Sequence, residues 1–169
     1  MVKLSSVSDL PTVPAVYAMY GGRGRSLYAA YVGIASNLRS RITQHLVLRD
    51  SSIATGVSAV HLNPDYVTEV RFWTHEKFAD SAFREAAEII AFDILEPALR
   101  SRGAVTARAR RLCENPDFSN EMKMLFSALP TGYLILPTLQ NALERISELE
   151  IRIAELEKLV SQQQGKTFN

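Results

Sequence analysis

The chain has a single cysteine, Cys113, among 169 residues. One thiol excludes an intrachain disulfide and any zinc site built on several cysteines. Cys113 lies in the charged stretch RARRLCENPD and reads as a minor packing residue rather than a nucleophile. Net charge is almost absent as well. The 19 basic and 18 acidic residues leave +1, so a polyanion would have to be met by a local patch rather than by an overall field. No stretch approaches the roughly 20 apolar residues that cross a bilayer. The opening MVKLSSVSDLPTV carries no apolar run of signal-peptide length. A cytoplasmic protein with no membrane partner is therefore expected. What is present is globular: 47% hydrophobic and 22% charged, which excludes general disorder, in a chain long enough to bury a core.

Two short apolar and aromatic runs, VPAVYAMY (13–20) and LYAAYVGI (27–34), flank the turn GGRGRS and predict a β-hairpin. Ser36 stands where an N-cap is wanted before NLRSRITQHLVL, and Leu38, Ile42 and Leu46 recur every four residues. A helix is expected over 37–48. RDSSIATGVSA reads as loop, and YVTEVRFWT (66–74) has the branched and aromatic content of a third strand. FADSAFREAAEIIAFDILEPAL is the strongest helical pattern of the globular part and closes near Pro97. Phe83, Ala87, Ile90 and Ile94 form one stripe on it. The stretch 100–111 holds five arginines and no acid. A mixed helical region with Met122 and Phe126 follows, then the break LPTGYLILP.

The last segment differs in kind. Leu139, Ile146, Ile153 and Val160 are spaced by seven, and so are Ala142, Leu149 and Leu156. Taken as heptad positions a and d, they form a seam with mostly β-branched residues at a and leucine at d. That combination favours a parallel two-stranded coil. Arg145 and Arg152 then fall at g, and Glu150 and Glu157 at e. A homodimer through this helix is expected; the alternative is a helix docked back on its own domain, since Ile151 and Leu159 are apolar off the seam. The division that follows is residues 1–100 as one domain, 101–132 as a basic helical extension, and 133–169 as a coiled-coil helix with its tail.

The globular part carries an ordered set of motif positions. AVY (Ala15 to Tyr17) and YVG (Tyr31 to Gly33) lie on the two hairpin strands. Arg41 stands eight residues after Gly33, His45 four further on, and Glu88 nine before Pro97. In this order, across strand–strand–helix–strand–helix, the set resembles the GIY-YIG nuclease superfamily over roughly residues 12–100. The resemblance implies an α/β fold, a small domain with a three-stranded antiparallel sheet flanked by helices. Three positions depart from the family or compete within it. Arg100 stands where the family usually has asparagine, Ile34 where many members have lysine, and Glu85 rivals Glu88 as the carboxylate.

The resemblance further implies hydrolysis of DNA phosphodiester bonds with Mg²⁺ or Mn²⁺. Glu88 would be the metal ligand, and Tyr17, Tyr31, Arg41, His45 and Glu88 the catalytic set. The residue types suit the chemistry. A hard cation prefers oxygen ligands and keeps several waters, so one carboxylate can suffice. Arginine presents a fork of donors that matches phosphate. Histidine titrates near neutral pH and can relay a proton. A phenol must be perturbed from its usual range to act as a base, and Arg41 with a metal would favour the phenolate. One tyrosine would activate water and the other orient, in an order left open. Arg39 projects from another face of the same helix and reads as a surface residue. Arg100, Arg102, Arg108, Arg110 and Arg111 would contact phosphates without sequence preference, with Arg23 and Arg25 as possible additions. The alternative is a DNA-binding or scaffolding module that keeps the fold without turnover.

Overall fold

In a computed structural model of the chain, residues 1–22, 26–48, 64–99, 104–137 and 139–166 are described. Arg23, Arg25, Arg100 and Arg102 lie outside these residues. Two compact units are found, Met1–Leu136 and Pro137–Asn169.

The first unit is built on one mixed sheet of five strands: β1 (Val2–Leu4), β2 (Ala15–Gly21), β3 (Tyr28–Ala35), β4 (Val67–Trp73) and β5 (Gly132–Ile135), in the order β1-β5-β4-β2-β3. The antiparallel trio β3-β2-β4 is the expected hairpin with its third strand. Two further strands correct the expectation of a three-stranded sheet. β5 pairs antiparallel with β4, and β1 joins β5 in parallel. β1 is only three residues long and shows no alternation. β5 is the apolar core of LPTGYLILP, so Tyr133 to Ile135 belong to the sheet rather than to the C-terminal helix segment.

β2 is buried at all seven positions because both of its faces are covered. Tyr17 and Met19 pack on one face with Leu38 and Ile42 of α1 (Leu38–Leu46). Val16 and Ala18 pack on the other with α2 (Ser81–Leu95), α3 (Ala107–Glu114) and α4 (Pro116–Ser127). The segment 101–132 is therefore not a separate extension, since its helices complete the core against α2. Trp73 meets Phe126 edge-on at 5.5 Å, and Phe83 meets Phe118 at 5.2 Å. Such pairs contribute roughly 0.5–1.5 kcal/mol each beyond the area they bury.

Helix ends follow local chemistry. α1 is capped by Asn37, one residue after the expected Ser36, because the Asn37 side chain accepts from the Ser40 amide at 3.0 Å. Asp80 caps α2, Thr106 caps α3 and Asn115 caps α4 in the same way. α2 stops at Glu96, whose left-handed backbone (φ 44°, ψ 56°) precedes Pro97. The chain then returns along β3, with the amides of Ala98 and Leu99 donating to the carbonyls of Ala29 and Ala30, both at 2.9 Å.

The second unit consists of α5 (Leu139–Lys166). Among the described residues, no helix is long and apolar enough to cross a membrane.

Candidate active site

Sheet register and one helix turn bring the motif residues together. Tyr17 on β2 stands opposite Gly33 of β3, and Met19 stands opposite Tyr31, so both phenols rise from the face that α1 covers. A register shift between Met19 and Tyr20 leaves Ala30 as the extra residue of β3 beside Tyr31. Arg41 and His45 lie one turn apart on α1. Leu38 and Ile42, both fully buried, fix that helix on the sheet. Its first turn is tied down by the amides of Leu38 and Arg39, which donate to the carbonyls of Val13 and Pro11. Arg39 points elsewhere, and its Nε donates to the Leu10 carbonyl at 2.7 Å.

Three rings meet at the centre. Tyr17 and Tyr31 have centroids 6.1 Å apart, Tyr17 and His45 6.1 Å, and Tyr31 and His45 5.9 Å. The Tyr17 hydroxyl and His45 Nε2 are 2.9 Å apart, within hydrogen-bond distance. A methyl group on Gly33 would lie 2.7 Å from the Tyr17 oxygen and 2.8 Å from Tyr31 Cε1. The glycine of the second motif is thus the floor on which both phenols rest, a role that its place in a three-letter motif does not disclose.

Burial decides the protonation states. It raises the Tyr17 phenol well above its ordinary range, assisted by the neighbouring Tyr31 and by the Glu88 carboxylate, while Arg41 opposes. Tyr31 is raised by burial and by Glu88, against Arg41 and the hydrogen bond from Tyr17. Both phenols are therefore protonated at neutral pH: Arg41 pulls each toward the phenolate, as expected, but burial outweighs it. Burial, then the Arg41 charge, pulls the His45 imidazole down to about 4, so it is neutral at pH 7 rather than titrating there. Burial also works against the Arg41 cation, but the two phenols outweigh it and hold the guanidinium charged.

The two glutamates separate. Glu85 accepts from the Thr106 amide at 3.0 Å and from its hydroxyl at 2.7 Å, and so anchors the start of α3. Glu88 is 7% exposed, the one buried charged residue among those described, and its charge acts on both phenols. The basic residues separate as well. Arg108 pairs with Asp80 at 2.7 Å and lies over the Phe83 ring, whereas Arg110 and Arg111 are exposed on α3. His75 accepts from the Lys77 amide and faces Glu121 at 3.4 Å. A cavity of about 710 Å³ opens elsewhere, between Val2, Pro11, Val13, Phe72 and Thr131, and none of the five motif residues lines it.

Two features bear on ligands. Arg41 Nε is buried with no hydrogen-bond partner among the described residues, a donor suited to an anionic oxygen. Among those residues, no group of three or more His, Cys, Asp or Glu side chains gathers to hold a metal ion. One buried carboxylate whose charge reaches both phenols suits a hard cation that keeps most of its waters rather than one needing several nitrogen or sulfur donors. Comparison with protein-family models, with curated proteins and with solved structures finds no match to this chain.

Proposed function

We propose that the protein is a divalent-metal-dependent DNA endonuclease of GIY-YIG type, with α5 as a coiled-coil dimerisation helix. The observation that supports the reading most is the convergence of the residues at 17, 31, 41, 45 and 88. They are distant in sequence, yet three share a ring cluster within 6.1 Å and the other two act electrostatically on it. A core that only needed filling has no use for a histidine, an arginine and a buried glutamate there, because burying such groups costs free energy that their partners must offset.

In this reading Arg41 binds the scissile phosphate through its guanidinium, whose Nε has no partner among the described residues. The neutral His45 takes the hydrogen bond of the Tyr17 hydroxyl on Nε2 and so fixes the direction in which that hydroxyl meets the attacking water. The contact with His45 favours Tyr17 as the phenol that meets the water, with Tyr31 as its neighbour in the ring cluster. Glu88 would hold Mg²⁺ or Mn²⁺, and the metal when bound neutralises charge on the phosphate and eases departure of the leaving oxygen. Arg110 and Arg111 supply sequence-independent phosphate contacts, to which Arg108 contributes only by leaving Asp80.

The test is cleavage of supercoiled plasmid with Mg²⁺, with Mn²⁺ and with EDTA, comparing wild type with Arg41→Ala and Glu88→Gln. Metal-dependent nicking or linearisation lost in both variants supports the reading. Metal-independent cleavage, or cleavage unchanged in both variants, overturns it. DNA binding without cleavage, across mixed-sequence and branched substrates, identifies a binding module of the same fold instead.

A further inference from the structure

Among the described residues, none of α5 belongs to a buried core. Ile146, Leu149, Ile153, Leu156 and Val160 are each about half exposed along it. A single helix in water draws little stability from propensity, and an apolar stripe of this length requires a cover.

We infer that the cover is the α5 of a second copy of this chain, lying parallel and in register. Two independent features of the helix select that occupant. The first is the composition of the seam: Ile146, Ile153 and Val160 at a, with Leu149 and Leu156 at d, match the preference of a parallel two-stranded coil. The second is charge. Flanking positions g and e carry opposite signs, Arg145 and Arg152 against Glu150 and Glu157. In a parallel pair each g residue meets the e residue five positions further along the other helix. Arg145 therefore meets Glu150 of the second copy, Arg152 meets Glu157, and the symmetry repeats both pairs. In an antiparallel pair g faces g and e faces e. The register that aligns the two seams head to tail would bring Arg152 toward Arg152 of the second copy and Glu150 toward Glu150. Attraction in one orientation and repulsion in the other fix the direction of the helices, which is how flanking charges act in coils.

The direction has a functional consequence that rests on the hydrolytic reading. The head, Met1–Leu136, ends two residues before α5 begins. Parallel helices place both of their N-terminal ends together, so both heads emerge from the same end of the coil. The dimer offers two hydrolytic sites to one DNA molecule, which suits cutting both strands in one encounter.

The experiment uses the full chain on a Cys113→Ser background. Wild type is first sized by light scattering at micromolar concentration, where a dimer mass is expected and a monomer mass overturns the inference. Ile146→Cys and Leu156→Cys are then oxidised separately and, with a size tag on one of them, after co-expression. Crosslinking of each variant to itself, with mixed crosslinks near background, is the parallel result. Mixed crosslinks without self-crosslinks are the antiparallel result and overturn it. Ile153→Asp should convert the dimer to a monomer whose head keeps its cooperative unfolding transition. Plasmid cleavage is measured separately. A monomer that cleaves overturns the dimer and spares the hydrolytic reading, whereas a parallel dimer that cleaves no DNA does the reverse.

Discussion

Tyr17 and Gly33 face each other across the β2–β3 pair so closely that a single methyl on the glycine would reach within 2.7 Å of the phenol oxygen. Tyr17 is fully buried and has no room to swing aside. Gly33→Ala should therefore cost about 1–3 kcal/mol, the usual range for overpacking a tight core. It should also displace the hydroxyl from His45, with cleavage falling more than stability does. Chemical unfolding and plasmid cleavage on the same preparation check both parts. A variant of wild-type stability would show that the phenol yields.

The two glutamates should respond oppositely. Glu85→Ala removes the acceptor for both Thr106 donors and should destabilise by about 1–2 kcal/mol, while cleavage at a temperature well below unfolding is retained. Glu88→Gln should leave the fold intact and reduce cleavage on the order of a hundredfold or more, as should Arg41→Ala. The reverse outcome would move the metal ligand to Glu85.

His45 sets an acid limit on stability. Its imidazole is held down to about 4 in the folded protein by burial and by Arg41, against about 6.5 in an unfolded chain. Below about 6.5 the unfolded chain takes up a proton that the folded one refuses. Stability from this group thus falls as pH drops from about 6.5 to about 4 and then levels, by at most about 3 kcal/mol. At the alkaline end the sign follows from Tyr17, Tyr20 and Tyr31, all raised by burial. Unfolded phenols lose protons above about 10 while these keep theirs, so stability falls as pH rises past that value. The slope of denaturation midpoint against pH should differ between wild type and His45→Gln only on the acid side, beside a pH-independent offset from the altered Tyr17 contact. An identical acid slope in the two proteins would place the titrating group elsewhere.

Glu96 is the one described non-glycine residue with positive φ. A left-handed residue with a β-carbon costs roughly 1–2 kcal/mol. Glu96→Gly should accordingly raise stability by about 1 kcal/mol without altering cleavage, as read from the unfolding midpoint.

How much of this was legible in sequence depended on range. Tyr17, Tyr31, Arg41 and His45 lie on three consecutive elements whose order, spacing and periodicity are local properties, and the chain brings them together as those properties imply. The N-cap moved by one residue because Ser36 and Asn37 are both good acceptors, and only the backbone of the turn decides between them. β1 and β5 escaped because three or four residues are too few to show a period, and their pairing joins the two ends of the head. The pull of Arg41 on the phenols was legible from spacing, whereas depth of burial, which opposes it more strongly, belongs to the whole fold. Arg108 looked available because its partner Asp80 sits 28 positions earlier. Separation of Glu85 from Glu88 likewise needed Thr106, which follows Glu85 by 21 positions.

The pairing of Val2, Lys3 and Leu4 with Gly132, Tyr133 and Leu134 also governs how the molecule is made. During synthesis the first strand emerges with nothing to bind, and its neighbour arrives only after the rest of the head has left the ribosome. Until then β4, too, waits with one edge bare. Chains stopped near residue 100 or 130 would keep the tyrosines, Arg41, His45 and Glu88 while presenting an unpaired strand edge, the kind of edge along which sheets from different molecules associate. Shortened forms of the head should therefore come out as aggregates, and any search for its smallest fragment that folds has to retain the chain through residue 136.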